Sequence, residues 1–165
     1  MKKLMILVVV CALALAFLPM SAMAQEYKNA APAFTLTYPD KYVKAQPTDP
    51  TQVLAAKDPG GLPTFQLTVV PKEAISLKDF AEKGYKPGLL KVGSDVEILS
   101  NKEAKTKDGS PAYRAEIEWM YGGSTLLSTV FFVTEKEGKI IFIAIHTMGD
   151  LAVPDEIAKS INLKP

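Results

Sequence analysis

Residues 96–147 hold four strand-like runs in close succession, at 96–106, 112–121, 124–134 and 140–147. Between them lie only Lys107-Asp108-Gly109, Gly122-Gly123 and Glu135-Lys136-Glu137-Gly138, each of hairpin-turn composition. Four strands joined this tightly can only form an antiparallel meander, because parallel neighbours need a crossover of a dozen residues or more. In the second run Tyr113, Ala115, Ile117, Trp119 and Tyr121 alternate with Arg114, Glu116 and Glu118, which predicts one apolar and one wet face. The run Ile140-Ile141-Phe142-Ile143-Ala144-Ile145 is apolar on both faces, as is much of 126–133. Those strands must be covered on both sides.

The covering elements can also be read. Ser76 is a helix N-cap with Asp79 three residues on, followed by Leu77, Phe80, Ala81 and Tyr85 at helical spacing, until Pro87-Gly88 ends or kinks the helix near Tyr85. A last helix is expected over 154–162, with Pro154 in its first turn, Asp155 and Glu156 near its N-terminus, and Ile157 and Ile161 on one face. Upstream, Phe34, Leu36 and Tyr38 alternate with threonines in a strand at 33–38. A brief strand is expected at 53–56 and another at 64–70, with loops rich in Pro and Gly between. The fold class is α+β, an antiparallel sheet flanked by helices.

The chain opens with Lys2-Lys3, an apolar run from Leu4 to Leu18, Pro19 and then Ser21-Ala22-Met23-Ala24. This is the pattern of a secretory signal peptide over residues 1–24, cut after Ala24. The run is shorter than a membrane span requires, so no anchor is expected after cleavage. Residues 25–32 read as a loose leader and 33–165 as one domain. The expected location is periplasmic or extracellular.

The signal takes away Cys11, the only cysteine, and with it any disulfide or thiol chemistry. Seventeen basic residues then face eighteen acidic ones. That near-neutral balance offers no concentrated basic face for nucleic acid.

"FTLTYPDKY" (34–42), "SLKDFAEK" (76–83) and "IAKSINL" (157–163) resemble the opening strand and turn, the helix and the ending of the PsbP-like superfamily. That family is named for an extrinsic subunit of the photosynthetic oxygen-evolving complex and includes a small Ran-GTPase release factor. The resemblance implies an α/β/α sandwich and a non-enzymatic domain that docks on a larger assembly or binds a ligand. It transfers no site residue.

Chemistry has few carriers. His146 is the sole histidine, at the end of the last strand. As a catalytic base it would need a carboxylate partner such as Glu116, Glu118 or Asp150, and the packing alternative is a strand-end histidine satisfied by neighbouring polar groups. Glu116 and Glu118 share a face about 6.5–7 Å apart, the separation of an inverting glycosidase pair, but Arg114 beside them favours a charge ladder. No His/Cys cluster offers a zinc or copper site, no calcium loop is present, and Gly122-Gly123 lacks the lysine and following helix of a P-loop. No cofactor is expected.

Two regions are candidates for contact with an envelope protein or small ligand. One is the loop with Tyr42, Pro47 and Pro50; the other is the hairpin tip with Trp119 and Tyr121. Packing would instead bury Trp119 and leave Tyr121 outermost. The wealth of Ile, Leu and Phe also admits an apolar-ligand carrier, which would need an enclosed cavity of a few hundred Å³.

Overall fold

The computed structural model describes residues 24–165. The signal-peptide reading of 1–24 therefore lies, but for Ala24, outside the described residues. Among the described residues nine strands form: β1 (Ala24–Ala30), β2 (Ala33–Pro39), β3 (Val43–Ala45), β4 (Gln52–Lys57), β5 (Thr64–Pro71), β6 (Gly93–Lys105), β7 (Pro111–Tyr121), β8 (Thr125–Lys136) and β9 (Lys139–Thr147). Strands β3 to β9 make one antiparallel sheet in the order β3-β4-β5-β9-β8-β7-β6. The expected meander is its larger half, and β5 joins it by pairing with β9 along eight positions.

One face of this sheet packs against the β1–β2 hairpin and the helix α3 (Ala152–Lys159). Phe34 and Leu36 of β2 meet Phe65, Leu67, Phe132, Ile141, Ile143 and Ile145 of the sheet and Ile157 of α3 in one buried cluster. A single helix and a hairpin thus replace the helical layer expected on this side. Residues 25–32, read as a leader, are corrected to the body of β1 and the turn that follows it: β1 pairs with β2 over its whole length. Its pattern of half-buried Gln25, Tyr27 and Asn29 among exposed neighbours contains one large apolar residue, too little for a hydrophobic signal, and the ladder to β2 supplies the stability instead.

The other face is crossed by the connection from β5 to the far edge strand β6. Ser76 caps it as expected, its Oγ accepting from the Asp79 amide at 3.0 Å. The helix is not continuous, however. α1 (Leu77–Asp79) passes into a π-helical turn at Phe80–Gly84, and α2 (Lys86–Leu89) follows with Pro87 in its first turn. Such wide turns are rare, and this one sits where Phe80, Ala81 and Tyr85 all face the sheet. Ala81 and Leu89 join Ala115, Ile117, Trp119, Phe131, Val133 and Ala144 in the second buried cluster.

Gly93 and the glycine pair fix the β6–β7–β8 corner. Gly122 and Gly123 both adopt positive φ, 59° and 73°, which a two-residue turn requires and side chains disfavour. Gly93, opposite Tyr121 in register, leaves the space that the Trp119 ring fills.

Candidate functional site

Trp119, Thr129, Tyr85 and His146 come together on the face crossed by the helical connection. Thr129 and His146 are directly opposed in β8 and β9, and Trp119 lies diagonally across on β7, so all three side chains rise on one face. The indole Nε1–H donates to Thr129 Oγ1 at 2.9 Å, Thr129 Oγ1 meets His146 Nδ1 at 2.9 Å, and His146 Nε2 meets Tyr85 Oη at 3.1 Å. Tyr85 stacks on Phe131 at 4.5 Å and on His146 at 6.2 Å, while Trp119 sits edge-on to His146 at 5.7 Å.

Donor counting sets the tautomer. Thr129 is wholly buried and its hydroxyl meets only Trp119 and His146 among the described residues. Its proton must therefore go to Nδ1, leaving Nε2–H to donate to the Tyr85 hydroxyl oxygen. The imidazole's one lone pair is thus already engaged. Burial lowers the His146 pKa from 6.5 to about 4 and raises that of the Tyr85 phenol.

The carboxylates named as partners do not reach this cluster. Glu116 and Glu118 rise on the opposite sheet face. Glu116 accepts from Arg114 Nη1 at 3.3 Å, and Arg114 Nε also donates to Asp155 of α3 at 2.6 Å. Arg114 and Glu116 are only 17% and 28% exposed, so the expected wet ladder is corrected to an ion-pair bridge clamping α3. Glu118 stands opposite Glu97 of β6. Asp150 Oδ1 accepts from the Ala152 amide at 2.9 Å and serves the turn into α3.

The contact candidates divide. Tyr42 is buried against Phe65, with its hydroxyl unpartnered among the described residues and its pKa pushed up to about 12 by burial and then by Asp58. Trp119 is 3% exposed. Both are corrected to core residues: the turn after Pro39 folds the Tyr42 ring onto Phe65, and Trp119 lies on the inner face of β7 with Ala115 and Ile117. Pro47, Pro50 and Tyr121 are exposed, but they lie at opposite ends of the sheet order.

Residues that the sequence did not single out surround Tyr121. Leu90, Val92, Leu99, Tyr121 and Leu126 are five of the seven large apolar side chains exposed among the described residues, and all lie on or beside β6, β7 and β8. Next to them, a groove of about 580 Å³ runs between the helical connection and β6, lined by Glu82, Lys83, Lys86, Pro87, Leu90, Ile98 and Asn101. An apolar cleft of about 480 Å³ beside Val70, Phe80 and Phe142 is open at the surface, unlike the enclosed cavity of a lipid carrier. Among the described residues no cluster of His, Cys, Asp and Glu could hold a metal, and no helix is long and apolar enough to cross a membrane.

No protein-family model matches the sequence, and no curated protein does. Solved structures do. The cyanobacterial PsbP of Synechocystis superposes with a TM-score of 0.69 at 16% identity, over 86% of this chain and 92% of its own. The chain has the PsbP-like fold. The Ran-binding protein Mog1p of Saccharomyces cerevisiae shares it, with a TM-score of 0.63 at 11% identity over 87% and 96% of the two chains. Within this fold the His146 cluster pins Tyr85, and with it the helical connection, to the sheet. Tyr85→Phe removes one hydrogen bond from that pin and is expected to cost about 1 kcal/mol, a fall of roughly 3 °C in Tm by calorimetry.

Proposed function

We propose that this chain is an exported, non-enzymatic accessory domain that docks on a protein of the cell envelope. The recognition surface is the rim formed by α2, the start of β6 and the β7–β8 hairpin tip. The observation that carries this reading is the gathering of Leu90, Val92 and Tyr121, each more than half exposed, at one corner of an otherwise well-filled fold. Apolar and aromatic side chains held on a rigid support are what interface centres are made of. The PsbP-like fold, shared with a protein described as Ran-binding, supports recognition of proteins. His146 supports the non-enzymatic part, since its lone pair is taken by a buried hydroxyl and no carboxylate among the described residues orients it. The basic, apolar and Ala-x-Ala sequence at the N-terminus supports export.

The test is retention of an envelope protein on the immobilised 25–165 domain. The wild type is expected to retain a partner that a Leu90→Asp/Tyr121→Ala variant loses by tenfold or more, while the variant's stability stays within about 0.5 kcal/mol of the wild type, as for exposed positions generally. Equal retention by the variant contradicts the proposed surface.

A further inference from the structure

We infer that the groove between the helical connection and β6 receives an extended acidic segment of the partner, added as a strand beside β6; this rests on the docking reading above. β6 is the outer strand of the seven-stranded sheet and runs for thirteen residues. On its far side it pairs with no strand among the described residues, so its outward amide and carbonyl groups are open to a partner's backbone.

Three further observations specify the occupant. First, the groove wall is basic. Lys83, Lys86 and Glu82 line it and Lys78 and Lys91 lie on the same connection; Lys83 pairs with Asp79, which Ser76 also engages, and Glu82 accepts from Asn101 at 3.1 Å. Lys78, Lys86 and Lys91 form no ion pair among the described residues. Second, the floor is apolar where Pro87, Leu90 and Ile98 meet, which seats alternate side chains of an added strand. Third, Asn101 directs its Nδ2 to Lys78 O and Glu82, which leaves a buried Oδ1 without a donor. An N–H from an incoming segment satisfies it.

A second copy of this chain fits poorly. Two β6 strands paired antiparallel about Leu99 would set Asp95 against Glu103, and the irregularities near Val96 and Leu99 interrupt the ladder. The acidic segment pairs beyond those irregularities, along 100–105, where Lys102 and Lys105 flank Glu103 and Lys86 reaches from the groove wall.

The probe is a twelve-residue peptide of alternating Glu and Leu, titrated into the domain with amide shifts followed by NMR. The expected result is saturable shifts along residues 83–90 and 100–105, binding weakened at least tenfold by Lys83→Glu/Lys86→Glu, and weakened similarly when the peptide is N-methylated on alternate amides. A Lys/Leu peptide is expected not to bind. Absence of binding, equal binding of the Lys/Leu peptide, or indifference to the lysine reversal or to N-methylation overturns the inference, as does a dimer of the domain joined through β6. A partner lost on Leu90→Asp/Tyr121→Ala but unaffected by lysine reversal leaves the docking surface standing and removes the acidic strand.

Discussion

Gly93→Ala is expected to destabilise the domain by about 3 kcal/mol or more, read as a fall in the urea midpoint at unchanged m-value. A Cβ at this position would lie 2.4 Å from the Met120 carbonyl oxygen and 2.5 Å from Cε3 of Trp119. Neither neighbour can give way cheaply: the carbonyl belongs to the paired strand, and the indole is tied to Thr129 at 2.9 Å. Gly88 supplies the control, since a Cβ there meets nothing within 4 Å, and Gly88→Ala is expected to be neutral or to stabilise by a few tenths of a kcal/mol. A loss below about 1 kcal/mol for Gly93→Ala would mean that β6 and Trp119 are not packed as described. The same change should also weaken partner retention, because β6 leads directly from the exposed Leu90 and Val92.

Acid is expected to weaken the fold through His146 in a defined window. The folded-state pKa is depressed, from 6.5 to about 4, so the native state binds fewer protons than the unfolded chain between those values. The contribution is complete above about pH 6.5 and is lost as pH falls through 4. The full shift corresponds to about 3 kcal/mol, and the partial exposure of the ring brings the expected loss nearer 2 kcal/mol. Protonation demands a hydrogen on Nδ1, which evicts the Thr129 hydroxyl proton from its sole acceptor. His146 is the only histidine, and ordinary carboxylates titrate mainly below this range, so His146→Gln should flatten the stability profile between pH 6.5 and 4.5. A profile unchanged by that substitution would refute the neutral, doubly hydrogen-bonded imidazole.

Period-two alternation made most of the sheet legible. It placed Trp119 on an inner face with Ile117 and read β8 and β9 as covered on both sides, and those strands lie within residues of the expected bounds. Local patterns do not encode which distant elements meet. Tyr85 reaches His146 across 61 positions only because β5 pairs with β9 and the connection must then cross the sheet to its far edge. That same crossing creates the groove, so Lys83, Lys86 and Leu90 carried no signal beyond helical spacing. Tyr42 misled because a tyrosine in a Pro-rich stretch reads as exposed, whereas the turn at Pro39, closed by the Tyr42 amide at 3.1 Å, folds its ring onto Phe65. β1 escaped notice because its inward residues are mostly polar.

Amide hydrogen exchange of the domain, alone and with the retained envelope protein, bears most directly on recognition by the α2–β6–β7 rim. Added protection is expected at residues 86–93 and 100–105 and at the 121–125 turn, with the loop around Pro47 and Pro50 unchanged. Protection confined to that loop, or centred on His146 with the rim unaffected, would contradict it.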